Sequence, residues 1–486
     1  MLFNYCHYFC LQLYFLMFKK FLFQLLLLTA VAIASLTSCK KGFDDSDFVA
    51  YFGGEIVNPQ TNFILFMKDD QVIDTIYLDA KNRFMHKFDS LAPGLYTFKH
   101  VPEYQYIYFD KNDSLMLRLN TQNFDSSIAF CGRGDEKNNY LIEAFLKNEN
   151  DRSYLYDILD KDVDVFIKKI DSSYQLRKNE YQKSKKDIAW SKGFDQIALA
   201  DLNFNYFYKR ELYPYVHQYR TGKKIRKSLP KNFYDYRKEI DFNNTELTGF
   251  SPFIKFANAM LNNIAYAKND GVYNEMSLEN NIHKLNIADT LITNARTKNV
   301  VLNNIAYMYL LEDQNMFNNK KFIDRYLELS SDEKQQEEVS KIAAATQKLT
   351  SGSFLPNIYL TNSKDELVTV KDVVKNKQTV IFFWNTHAES HIKAVHQKVA
   401  ELKKEFPNLQ FIAININDSR EKWLKTLQVH NLEKLNVAVE LRATDFEAIK
   451  RDWVITKVHR AIILNPDGTI KNAFVNLFDA NFKNNL

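Results

Sequence analysis

Thr379-Val380-Ile381-Phe382-Phe383-Trp384-Asn385-Thr386-His387-Ala388-Glu389-Ser390-His391 is the stretch that decides the fold. Its first six residues are a continuous apolar, β-branched and aromatic run, which suits a central strand buried on both faces. From His391 to Phe406 the period becomes helical, with Ile392, Val395, Val399, Leu402 and Phe406 on one face. Leu409 to Ile416 reads as the next strand, and helices are expected around Arg420 to Val429 and Asp445 to Trp453. Ala461 to Leu464 and Thr469 to Val475 pair as strands across the turn Asn465-Pro466-Asp467-Gly468. Strands alternating with helices make residues 352–486 an α/β domain.

Upstream the patterns differ. Residues 49–135 hold short β-branched and aromatic runs: Phe63 to Phe66, Val72 to Leu78, Leu95 to Phe98 and Leu115 to Leu119, punctuated by Asp69-Asp70, Ala80-Lys81-Asn82, Ala92-Pro93-Gly94 and Asp110 to Asp113. This reads as an antiparallel meander closing into a β-sandwich. Residues 136–351 turn helical, as in Val163, Phe166, Ile167, Ile170 and Tyr174, or Val301, Ile305 and Met308. Ser330 to Glu333 has capping-box spacing ahead of a helix carrying Val339 and Ile342. The many aromatics at helical spacing are assigned to core. The basic segment Arg220 to Lys231 is assigned to a solvated loop. Arg133-Gly134-Asp135 spells an adhesion tripeptide by chance.

At the N-terminus, Lys19-Lys20 precede an apolar run from Phe21 to Ala34 and then Leu36-Thr37-Ser38-Cys39, the order of a secretory signal. The last four residues resemble a bacterial lipobox. That resemblance implies cleavage after residue 38, acylation of Cys39 and a lipidated linker over 39–48; Met17 is an alternative start that gives a signal of normal length. Asp44, Asp45 and Asp47 behind Lys40-Lys41 are similar to surface-export signals and equally form a short charged linker. The expected location is the cell envelope, anchored in the lipid bilayer through Cys39 and facing the periplasm or the cell surface. The four cysteines are Cys6, Cys10, Cys39 and Cys131, so the mature chain has no internal disulfide and must rely on its core.

The chain has 486 residues, 46% hydrophobic and 25% charged, with a net charge of +5. That composition excludes disorder, and the charge is too near balance for a dedicated nucleic-acid binder. A mean hydropathy of −0.37 and a single long apolar stretch exclude a multi-pass membrane protein. There is no Gly-rich phosphate loop, no G-x-S-x-G elbow and no metzincin motif, and 12 glycines leave little material for such loops. No cofactor is expected.

Phe382-Phe383-Trp384-Asn385-Thr386-His387 before a long amphipathic helix resembles the active-site entrance of a TlpA-type thioredoxin-like domain, as does Val458-His459-Arg460 running into Ala461 to Gly468. The whole layout resembles envelope lipoproteins of the thiol-disulfide oxidoreductase family, with Cys131-Gly132-Arg133-Gly134 before Asn138 to Leu141 where their β-domains pass into helices. The family pattern W-A-x-W-C-x-x-C places its cysteines at Ala388 and His391, with Glu389-Ser390 between, and its cis-proline at His459. All three are changed. Thiol exchange needs a thiolate at a helix N-terminus and a second thiol within one turn, and alanine supplies neither. The resemblance therefore implies a redox-inactive domain binding a protein or peptide partner in a groove rimmed by Trp384, His387 and His459.

Two other readings stay open. A thiol-disulfide oxidoreductase could borrow a partner's thiol or use Cys131, although Cys131 follows Ile128-Ala129-Phe130 and is expected to be buried in a strand. Alternatively, His387, His391 and His459, with Glu389, could hold a zinc ion. A solvated helix end, with Glu389 favoured by the helix dipole, explains the same residues without a metal.

Overall fold

The computed structural model describes residues 48–69, 71–101, 103–268, 272, 274, 277–311, 316–386, 389–435, 437–455, 458–479 and 482–486. The signal peptide, Cys39, His387 and Ala388 lie outside these residues, as does the linker up to residue 47. The chain divides into two compact units, one of Met1–Phe66 with Asp74–Asn139 and one of Met67–Ile73 with Tyr140–Leu486. Among the described residues no helix is long and apolar enough to cross a membrane.

The N-terminal strands are β1 (Ala50–Val57), β2 (Phe63–Lys68), β3 (Gln71–Tyr77), β4 (Arg83–Phe88), β5 (Gly94–His100), β6 (Glu103–Phe109), β7 (Ser114–Asn120) and β8 (Ala129–Arg133). They form two sheets, β4-β1-β7-β8 and β3-β2-β5-β6. Phe52 of the first sheet meets Phe66, Phe98 and Phe109 of the second at centroid distances of 5.9, 5.9 and 6.1 Å. The expected β-sandwich is therefore present, closed by phenylalanine. It is not wholly antiparallel: β1 and β7 run parallel, with Phe52 opposite Leu115. At Gly54 the backbones come so close that a Cβ would stand 2.0 Å from the Leu117 carbonyl oxygen, so only glycine fits.

The helical region comprises α1 (Asp135–Ser153), α2 (Leu155–Leu159), α3 (Val163–Ile188), α4 (Lys192–Thr221), α5 (Ser251–Ala267), α6 (Leu278–Leu291), α7 (Ala295–Leu310), α8 (Met316–Leu329) and α9 (Glu333–Gln347). Ser191 caps α4 by accepting from the Phe194 amide at 3.1 Å, and Gly222 ends it in the left-handed conformation at φ 74°. Aromatics do form core here: Phe166 of α3 stacks on Tyr213 of α4 at 3.7 Å, and Tyr174 stacks on Tyr206 at 4.3 Å. Val301 and Ile305 are buried, whereas Met308 is 46% exposed. The expected cap at Ser330 is corrected. Asp332 caps α9 by accepting from the Gln335 amide at 3.0 Å, and the Ser330 hydroxyl is turned to Asn299 instead.

The C-terminal domain contains β9 (Leu360–Thr361), β10 (Leu367–Val368), α10 (Val370–Val373), β11 (Thr379–Trp384), α11 (Glu389–Glu405), β12 (Gln410–Asn415), α12 (Arg420–Val429), α13 (Leu432–Leu435), β13 (Val439–Ala443), α14 (Phe446–Asp452), β14 (Arg460–Leu464) and β15 (Ile470–Asn476). The sheet order is β10-β9-β13-β12-β11-β14-β15, with β11 parallel to β12 and antiparallel to β14. The side chains of β11 alternate between two cores. Ile381 and Phe383 join Ile412, Ile414, Trp453 and Ile462, where Ala345 and Leu349 from the end of the helical region also pack. Val380, Phe382 and Trp384 join Phe411, Trp423 and the apolar face of α11, Val395, Val399 and Leu402.

One buried carboxyl in α4 gives the helical region a pH signature. Asp201 is 8% exposed and accepts from Asn205 Nδ2 at 3.0 Å and Asn148 Nδ2 at 3.1 Å. Burial outweighs these bonds and raises its pKa from 3.8 to about 6. A folded pKa above the unfolded one means the group's stabilisation is complete below pH 3.8 and is lost as pH rises through 6. Asp201→Asn is expected to remove roughly 2–3 kcal/mol of that pH dependence, leaving the variant relatively more stable at pH 7.5 than at pH 4.5. Denaturant unfolding at both pH values measures it, and equal slopes in the two proteins would refute it.

Candidate active site

Parallel pairing brings the C-terminal ends of β11 and β12 side by side, and the loops that leave them share one carboxylate. Asp418 accepts from the Thr386 amide at 2.8 Å, from the Thr386 hydroxyl, and from Asn415 Nδ2 at 2.8 Å. It is 7% exposed, so these charge-assisted bonds are made out of water and hold the Asn385-Thr386 turn in place.

His391 lies in the first turn of α11, at the second of the two family cysteine positions. Its Nε2 is 3.1 Å from the Phe383 carbonyl oxygen, which can only accept, so Nε2 carries the proton. The Val458 backbone makes a further bond to the ring, and the Phe478 ring lies 5.8 Å away. Burial holds the His391 pKa below the usual histidine value, with the two backbone bonds opposing. The imidazole thus ties the helix start to the end of β11 and to the segment entering β14. The Val458 backbone that bonds the ring immediately precedes His459 in the chain. His459 itself is exposed in the turn before β14.

Trp384 requires a correction. It does not rim a groove: it is 0% exposed, and its indole Nε1 donates to Glu440 Oε2 at 3.2 Å. The same carboxyl meets His396 Nε2 at 3.1 Å, while His396 Nδ1–H donates to the Ile392 carbonyl at 2.8 Å. His396 and Glu440 are 2% and 8% exposed. Burial raises the Glu440 pKa against the pull of His396 and Trp384. Sequence reading missed this network. The signals were present: a histidine on the apolar stripe of α11, four residues after Ile392, and a lone glutamate in the apolar run Val437 to Leu441.

Cys131 is also corrected. It is exposed on β8, opposite Met116, because the alternation of that strand turns Phe130 inward and Cys131 outward. Among the described residues no group of three His, Cys, Asp or Glu side chains is placed to hold a metal ion. His387, the first of the three proposed ligands, lies outside those residues. A metal would have to displace the Phe383 carbonyl to reach His391 Nε2.

Residues 376–470 match a family model described as thioredoxin-like. The C-terminal domain is thioredoxin-like. A thioredoxin-like protein from Bacteroides caccae is similar at 11% identity over 56% of this chain and 89% of that one, with a TM-score of 0.33. A thiol-disulfide oxidoreductase from Bacteroides fragilis is similar at 20% identity, covering 26% of this chain and 93% of its own, with a TM-score of 0.21. The domain of a possible thiol-disulfide isomerase from Cytophaga hutchinsonii matches at 23% identity over 28% and 91% of the two chains, with a TM-score of 0.24. No curated protein matches the chain. Residues 352–486 contain no cysteine.

His396→Leu would leave Glu440 buried without its main partner, and a loss of about 3 kcal/mol in unfolding free energy is expected. Adding Glu440→Leu should recover at least half of it. No loss in the single variant, or a further fall in the double one, would show that the pair is not coupled. Cys131 should react with a maleimide in the folded protein as fast as in urea; protection in the native state would contradict its exposed placement.

Proposed function

We propose that the chain is a lipid-anchored cell-envelope protein whose thioredoxin-like domain is redox-inactive and holds a protein or peptide partner beside the start of α11. One observation carries the reading. At the position of the family's second thiol, the His391 ring is bonded to the Phe383 carbonyl and the Val458 backbone. A group that fastens the entrance together replaces one that would attack a disulfide, while Ala388 removes the other thiol. Fold and chemistry separate readily in this way, because function resides in the site rather than in the scaffold.

The surface that remains suits contact with another chain. Phe478, 43% exposed, lies 5.8 Å from the pinned His391, and the exposed His459 follows Val458, whose backbone bonds the same ring. Aromatic groups on a fixed frame give contact area at little entropic cost. Cys39, acylated after cleavage of residues 1–38, would hold the protein at the bilayer.

Photo-crosslinking side chains placed at His459 and at Phe478 in living cells should yield the same discrete adduct. A control at Leu176, 67% exposed in the helical region, should not. Absence of an adduct at both positions, or the same adduct at Leu176, would contradict the binding role. Cys39→Ser should abolish incorporation of radiolabelled fatty acid, and retained label would contradict the anchor.

A further inference from the structure

The sheet β4-β1-β7-β8 of the β-sandwich carries a row of sulfur on its outer face. Strand register sets Met85 opposite Gly53, Gly53 opposite Met116, and Met116 opposite Cys131. Residues paired in this way point to the same side of a sheet, with neighbouring strands about 4.8 Å apart. Their chain neighbours Phe52, Phe84, Leu115 and Phe130 are buried in the core, so the row lies on the opposite side. Gly53 has no side chain, and both thioethers fold over the space it leaves. The point that a Cβ of residue 53 would occupy lies 2.9 Å from Met116 Sδ and 3.0 Å from Met85 Sδ. Two sulfurs from the strands on either side of β1 thus meet above it, and the exposed Cys131 stands on the far side of Met116. The surroundings are charged: Met85 is 62% exposed, and Arg83, Glu55 and Arg118, two positions along on β4, β1 and β7, form the adjacent exposed row.

Thioether and thiolate are soft ligands, and soft ligands select Cu(I). Zinc instead takes thiolate, imidazole or carboxylate, and a pair of thioethers offers it little. We propose that Met85, Met116 and Cys131 bind one Cu(I) ion on the outer face of the β-sandwich. Metal–sulfur bonds of about 2.3 Å require the sulfurs to stand within roughly 4.6 Å of one another. Met116, between the other two ligands, has three rotatable bonds and turns from above Gly53 towards Cys131 without moving the strands. Cys131 binds as the thiolate, so its proton leaves to solvent; the ion arrives and stays as Cu(I), so no electron moves. Thiolate and ion cancel in charge, and the arginines of the adjacent row do not oppose the bound state. Every ligand belongs to the β-sandwich, so the site is independent of the role proposed for the thioredoxin-like domain.

Maleimide alkylation of Cys131 in the full-length chain, read by mass spectrometry on the peptide that carries it, tests the proposal. Reading that one peptide keeps Cys6, Cys10 and Cys39 out of the signal. Cu(I) buffered with bicinchoninate under anaerobic, reducing conditions should protect Cys131, and Zn(II) at the same free concentration should not. Combining Met85→Leu with Met116→Leu conserves side-chain volume and should leave alkylation of the metal-free protein unchanged. The same double variant should raise the free Cu(I) needed for half-protection at least about tenfold, because two of the three ligands are gone. Met308→Leu, at a methionine 46% exposed in the helical region, should cause no shift. Unchanged alkylation in the presence of Cu(I), equal protection in the double variant, or equal protection by Zn(II) would overturn the proposal.

Discussion

The C-terminal domain depends on one constraint: β11 is buried on both faces at every residue from Thr379 to Trp384. A strand with no solvent face must have a core on each side, and alternate side chains feed the two. Ile381 and Phe383 face the core that takes Ala345 and Leu349; Val380, Phe382 and Trp384 face the core under α11. Each large side chain buried this way is worth roughly 2–3 kcal/mol, so the strand fixes the sheet whatever happens at its end.

That arrangement explains how a thioredoxin-like domain can lose its dithiol and keep its shape. Among the described residues, neither core takes a side chain from between Trp384 and Ile392. What the end of the strand does need is a device that fixes the turn into α11. Here Asp418 holds Thr386 and Asn415, and His391 holds the Phe383 carbonyl. Behind them, the Trp384–Glu440–His396 network fastens the same strand to α11 and β13. Such a network adds rigidity only while every member is satisfied, because its groups are out of water.

Much of this was legible in the sequence because the periods are strong. The apolar run at Thr379 to Trp384 and the helical stripe from Ile392 to Leu402 fall where the structure places β11 and α11. The Phe and Tyr spacing of α3 and α4 likewise marked core. Polar placement was not legible to the same degree. Trp384 looks like a rim residue because it ends a strand, yet its pleat direction carries it inward to Glu440. Cys131 follows an apolar triplet, but strand alternation turns it out. The parallel pairing of β1 with β7 joins partners 63 residues apart in the chain, such as Phe52 and Leu115, which local alternation does not encode. Asp418, in the loop after β12, and Glu440, on β13 with β12 between it and β11, acquire their roles only when the sheet is assembled.

The measurement that bears most directly on the central claim is insulin disulfide reduction by the full-length chain, followed with dithiothreitol beside an authentic thioredoxin. With alanine and a pinned histidine in place of both thiols, the rate should equal that of dithiothreitol alone. A clear rate above that background would contradict the account, whether or not Cys131→Ser abolished it.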